Sequence, residues 1–182
     1  MPDLDEAELN LGRFYDLPEN ELRDKNNMID GDYQLYARSN ILPDYLWLGR
    51  MTFTTIENTG NSCLHVEVVS HHQEIENRSY KEFHSEGHGA PCGDRNYQVV
   101  LRSKYERGDE TGALCIIRRL NLPHENKIDQ LRVHAIQYES EKDYIMKNIW
   151  PLVRRHNNDI ECGFVSISEI YNDLIAEELC LK

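Results

Sequence analysis

Three side chains able to bind a metal recur at a fixed spacing: His84, His88 and Cys92, each four residues from the next. Imidazole nitrogen and thiolate sulfur are the preferred donors for zinc, and two further imidazoles, His71 and His72, lie just upstream. A helical i, i+4 pair would aim both rings at one ion, whereas Gly87, Gly89 and Pro91 break any regular helix here. These residues are therefore the candidate ligands for zinc in a loop, while the leading expectation for this chain is no cofactor. On the preceding segment, His65 and Glu67 share one parity and form a candidate acid–base pair.

The pieces His65-Val66-Glu67 and Pro91-Cys92 resemble the H-x-E and P-C-x-x-C signature of zinc-dependent nucleoside deaminases. The resemblance implies zinc on His65 and Cys92, with Glu67 moving protons. Arg95 stands where that family has its second cysteine, and both fragments alternate like strands where the family has helices.

The chain lacks the glycine-rich phosphate loops, the G-x-G-x-x-G dinucleotide motif and the G-x-S-x-G nucleophile elbow. Five scattered cysteines, Cys63, Cys92, Cys115, Cys162 and Cys180, include no C-x-x-C pair, which points away from a disulfide scaffold. Arg102, Lys104 and Arg118 fall on neighbouring expected strands and form a candidate anion patch.

The 182 residues carry 32 acids against 20 bases, a formal net charge of −12. That balance disfavours direct nucleic-acid binding and docking on anionic lipid. No apolar run is long enough to span a membrane, and the expected location is intracellular, cytoplasmic or nuclear. The charge is uneven: the first 32 residues hold ten acids and three bases. Within them Leu4, Ala7, Leu11 and Phe14 recur at helical spacing among Asp3, Asp5, Glu6 and Glu8. Residues 1–32 read as an acidic arm. Leu4, Leu11, Phe14 and Tyr15 are its candidate partner-binding residues, suited to a basic or hydrophobic groove on another protein or to the chain's own sheet. Residues 33–182 read as one α+β domain.

The elements that would hold these groups follow from periodicity. Pro18 can open a short helix through Arg23, and 27–44 reads as mostly loop. Alternation of apolar and polar side chains predicts strands from Tyr45, over Cys63–Ser70, from Tyr97, over Ala113–Arg119 and over Leu131–Tyr138. Residues 73–96 read as a long irregular segment. Ile145, Ile149, Leu152 and Val153 form a helical stripe, predicting a helix over 141–156. A short strand over 160–167 and a last helix over 168–180 complete the pattern. The expected fold is therefore α+β: an antiparallel sheet of five to six strands with C-terminal helices on one face. The function favoured by these features is a non-enzymatic protein–protein interaction: an adaptor, inhibitor or complex subunit using the arm and the long loop. The alternatives are a metal-dependent or acid–base enzyme centred on the histidine-rich loop, an acidic nucleic-acid mimic, and a small-ligand pocket under the sheet.

Overall fold

The computed structural model describes residues 18–39, 42–58, 61–70, 73–75, 78–80, 83–104, 110–120, 130–139, 144–155, 159–169, 175 and 179. It begins with helix α1 (Glu19–Ile29), which follows Pro18 and runs past Arg23 to a buried Ile29. Eight strands then wind up and down: β1 (Gly31–Arg38), β2 (Tyr45–Asn58), β3 (Asn61–Ser70), β6 (Phe83–Pro91), β7 (Asn96–Lys104), β8 (Glu110–Arg119), β9 (Gln130–Glu139) and β10 (Tyr144–Arg154). The short strands β4 (Gln73–Ile75) and β5 (Arg78–Tyr80) pair with each other between β3 and β6. Every pairing is antiparallel, and β1 pairs with both β2 and β10, for example Tyr33 with Met51 and with Arg154. The sheet therefore closes on itself as an eight-stranded barrel, with a seam of three residue pairs from Tyr33–Arg154 to Leu35–Leu152.

This overturns the α+β expectation. The barrel wall holds eight strands rather than five or six, and the segment predicted as helix 141–156 is the strand β10. Its side chains alternate. Met146, Asn148, Trp150 and Leu152 face inward, while Ile145, Lys147, Ile149 and Val153 face outward. Apolar residues on both faces leave Ile145 and Ile149 four apart, which imitates a helical stripe. Of the expected helix over 168–180, the described residues show a 3-10 turn at Ile167–Glu169 and the buried Ile175 and Leu179; its remainder lies outside them. Strand β1 falls in the segment expected as loop, and β6 in the segment expected as irregular. The short strand expected over 160–167 is β11 (Gly163–Ser166), laid against the start of β2.

The core fills the barrel from the end that α1 covers. Tyr33, Leu35, Met51, Phe53, Leu64, Val66, Tyr97, Val99, Ile117, Leu131, Val133 and Leu152 are at most 1% exposed. At roughly 1.5–3 kcal/mol per large apolar side chain, this block is the main source of stability. Asn26 of α1 donates to the Ser62 hydroxyl at 3.2 Å, and the Tyr97 hydroxyl donates to the Lys25 carbonyl at 2.5 Å, fixing the helix over the barrel mouth. A second, smaller core lies outside the wall, where Ile175 and Leu179 cover Tyr36, Leu46 and Leu48. Beside it the Gln34 side chain donates to the Glu161 carbonyl at 2.7 Å and accepts from its backbone N–H at 2.7 Å. Together these contacts bury both faces of β1.

Candidate functional site: the barrel mouth opposite the helix

The inner wall changes character along the barrel axis. At the helix end it is large and apolar. Towards the other end the inward positions become small or polar: Ala37, Ser70, Ser85, Ser103, Ala113, Ala135, Gln137 and Asn148. Ser85 and Ser103 face each other across β6 and β7, and their hydroxyls hydrogen-bond. On the facing strands the Asn148 amide donates to the Gln137 Oε1 at 2.9 Å. A side-chain amide carries two donors and a carbonyl, so this one bond leaves the Gln137 amino group and the Asn148 carbonyl with capacity to spare.

Solvent access follows the same gradient. Inward-facing Trp47, Gln137, Met146 and Asn148 are partly exposed, while Leu131, Val133 and Leu152 on the same strands as the last three are sealed. Trp47 lies over Gly49, whose added Cβ would sit 3.3 Å from the indole. The glycine leaves the volume that the indole occupies. Trp150 sits deeper, in the main core. The result is a mouth with partly exposed aromatic and thioether surface and two amides at the rim, while the Ser85 and Ser103 hydroxyls are buried below it. Among the residues whose side chains are described, no charged group faces inward at this end.

Burial also sets the titration of two groups inside the wall. It pushes the Cys115 thiol from 9.0 up to about 12, and the Tyr97 phenol from 10.0 up to about 12, against a smaller lowering effect from Arg119. Both groups are neutral when protonated, and the fold prefers that form. Their contribution is fully present below pH 9 and is lost as the pH rises from there towards 12. Denaturant midpoints are expected to hold to about pH 9 and fall steadily above it, with Cys115→Ala removing the earlier part of the fall. A flat profile between pH 9 and 11 would contradict this account.

The residues singled out by sequence are placed elsewhere. His84 and His88 both face outward on β6, and Cys92 follows the strand end. Along an extended strand His84 and Cys92 are roughly 27 Å apart, so the three cannot ligate one ion. His71 and His72 lie outside the described residues. His65 and His88 are register partners on β3 and β6 with ring centroids 5.1 Å apart, and His84 Nε2 lies 3.0 Å from Glu67 Oε1. His65 is thus not paired with Glu67; each contacts a different β6 histidine. Among the described residues no group of three His, Cys, Asp or Glu is arranged to hold a metal ion. The deaminase-like fragments sit on strands, with Cys92 four residues beyond the partner of His65. Burial raises the Cys92 thiol above its ordinary value, which disfavours thiolate chemistry.

The anion patch is split. Asn96 pairs with Arg118, and Arg102 lies six residues further along β7, so the two guanidinium groups are separated by about 20 Å of strand. Lys104 ends β7, with its side chain outside the described set. Leu4, Leu11, Phe14 and Tyr15 also lie outside the described residues. Sequence reasoning missed Gln137 and Asn148, although the signal was there. Each is an amide on a parity that otherwise carries apolar residues (Leu131, Val133 and Ala135; Trp150 and Leu152).

No protein-family model matches the chain, and no curated protein matches it. Among solved structures the chain is similar to a redesigned β barrel, with a TM-score of 0.51 and 12% identity over 74% of this chain and 97% of that one. At this identity the likeness speaks to the barrel fold alone. Among the described residues no helix is long and apolar enough to cross a membrane.

Proposed function

We propose that the protein binds a small, uncharged molecule in the barrel mouth opposite α1, non-covalently and without catalysis. The observation that carries this reading is the partial solvent access of inward-facing Trp47, Gln137, Met146 and Asn148, set beyond a sealed core. Eight-stranded barrels have room either for their own side chains or for one small ligand. Here the small residues Ala37, Ala113 and Ala135 leave the second option at one end. Tryptophan and methionine surface suits a flat or aliphatic body, and the amides suit a polar edge. An intracellular setting belongs to the same proposal, supported by Cys63, Cys92, Cys115 and Cys162 standing as free thiols.

The test uses Nile red, a neutral apolar fluorophore. It is expected to bind saturably, about one per chain, with blue-shifted emission. Asn148→Trp should fill the mouth and remove that signal while shifting the melting temperature by no more than a few degrees. Unsaturable uptake, or uptake unchanged in Asn148→Trp, would reject the proposal. Dye bound to the outside of the wall is identified by its loss in Leu114→Glu with Ile136→Glu.

A second reading is the protein interaction expected from the sequence. One observation favours it: a strip of exposed apolar side chains on the outer wall.

A further inference from the structure

The outward face of β7–β10 is unusual on two counts. First, it is apolar in its middle. Register places Val100 opposite Leu114, Leu114 opposite Ile136, and Ile136 opposite Lys147, with Ile145 and Ile149 flanking that lysine on β10. Val100, Leu114, Ile136, Ile145 and Ile149 are 38–63% exposed, so one contiguous strip crosses four adjacent strands. Second, it is basic at its rim. The outward side chains described on these strands include Arg102, Arg118, Arg132 and Lys147 and no carboxylate, in a chain with a net charge of −12. Among the described side chains, the carboxylate nearest this face in register is Glu86 on β6, opposite Arg102.

The chain carries a segment of the opposite character. Residues 1–17 hold five acids (Asp3, Asp5, Glu6, Glu8, Asp16), one base (Arg13) and the apolar series Leu4, Ala7, Leu11, Phe14. We propose that residues 1–17 of this same chain cover the apolar strip on β7–β10, with the apolar series on the strip and the acids towards the cationic rim. Charge complementarity argues for this occupant. Two copies meeting strip to strip would instead oppose arginines and lysines of like charge, which disfavours self-association through this face. Dimensions agree as well. As a helix, the eleven residues from Leu4 to Phe14 would be about 16 Å long, and four strands span about 14 Å. With Leu4–Phe14 helical, residues 15–17 add roughly 10 Å of extended chain, so Leu4 reaches at most about 26 Å from Pro18. Leu114 lies five residues, or about 17 Å, down β8 from its helix-end residue Arg119. The segment can therefore reach the strip from its own chain. The ligand mouth is not involved, so this inference stands or falls separately from the proposed function.

The test is zero-length carbodiimide cross-linking of the full chain, which joins a carboxylate to an amine only in contact. Lys147 supplies the amine at the β10 end of the strip, between Ile145 and Ile149. A monomer carrying a cross-link between Lys147 and one of Asp3, Asp5, Glu6 or Glu8 is the expected product, mapped by mass spectrometry. The yield should fall at least about fivefold in Leu11→Ser with Phe14→Ser, in Leu114→Glu with Ile136→Glu, and in 1 M salt. Circular dichroism confirms that each variant is folded. A mixture of isotopically light and heavy protein separates the sources: cross-linked peptides of mixed mass would mean that the arm of a second copy fills the strip, which overturns the proposal. Cross-links from the arm spread over other lysines, none at all, or an unchanged yield in the Leu11/Phe14 variant would overturn it equally.

Discussion

Gly87→Ala is expected to destabilise the barrel by about 3 kcal/mol, and so to lower the melting temperature by roughly 6–12 °C. The reason is close approach between two strands. A Cβ built at Gly87 would lie 1.9 Å from the Val100 carbonyl oxygen and 2.9 Å from the Leu101 Cα, both backbone atoms of β7 that cannot rotate away. Gly89, two residues on, meets the Gln98 carbonyl oxygen at 2.5 Å in the same way. The pair marks where β6 curls tightly against its neighbour, as a barrel wall must somewhere along its circumference. Relief would require β6 and β7 to move apart and lengthen the Gly87–Leu101 and Gly89–Val99 part of the ladder. Gly112→Ala is the control, because the nearest atom to its Cβ is 4.0 Å away. It is expected to change stability by less than about 0.5 kcal/mol. Equal denaturation midpoints for Gly87→Ala and the parent would remove the close-approach argument.

Arg154→Ala is expected to cost about 3–4 kcal/mol and to free α1 before the barrel itself unfolds. The guanidinium at the end of β10 donates to the Asp30 carbonyl at 2.6 Å and to the Met28 carbonyl at 3.2 Å, capping the end of α1. It also hydrogen-bonds the Tyr33 hydroxyl and stands 4.6 Å from the centre of that ring. Hydrogen bonds to a charged group contribute roughly 1.5–3 kcal/mol each, and truncation leaves helix-terminal carbonyls without their donor. Lysine keeps the charge and loses the fork, so Arg154→Lys should recover less than half of the stability. Hydrogen exchange reads the order of events: amides of Leu22–Ile29 should lose protection in Arg154→Ala while those of Val99 and Cys115 keep theirs. An unchanged melting temperature would show that Arg154 is not what holds the helix.

Much of the wall was legible in the sequence, and the reasons for the gaps are physical. Five strands announced themselves because one face meets the core and the other meets water; Leu64, Val66 and Val68 against His65 and Glu67 is the plainest case. β1 does not alternate, because Tyr33 through Ala37 are all buried. Its outer face is sealed by a segment more than a hundred residues away, as the Gln34–Glu161 bonds show. β6 is hidden for the opposite reason. Its inward positions are Ser85, Gly87 and Gly89, chosen for closeness to β7, so no apolar stripe exists to be read. β10 is apolar on both faces, and the outer apolar residues belong to the strip rather than to a helix. The candidate mouth was legible only in part. Gln137 and Asn148 each stand out as an amide on an otherwise apolar parity, but that the two meet follows only once β9 and β10 pair.

Closure by β1 and β10 sets a schedule for synthesis. Arg38 ends the first strand, and Arg154, which faces Tyr33 across the seam, is made 116 residues after it. At 5–20 residues per second a ribosome needs roughly 6–23 s to cover that distance. Throughout that interval the seam side of β1 has been made and its partner has not. The hairpin with β2 can form at once, because its turn is local. The other row of backbone donors and acceptors must wait for the last strand of the wall. Between those two residues a nascent chain of this protein is an open, curling sheet with an adhesive border, and ribosome pausing before residue 154 is the moment at which neighbouring nascent chains would stick to one another.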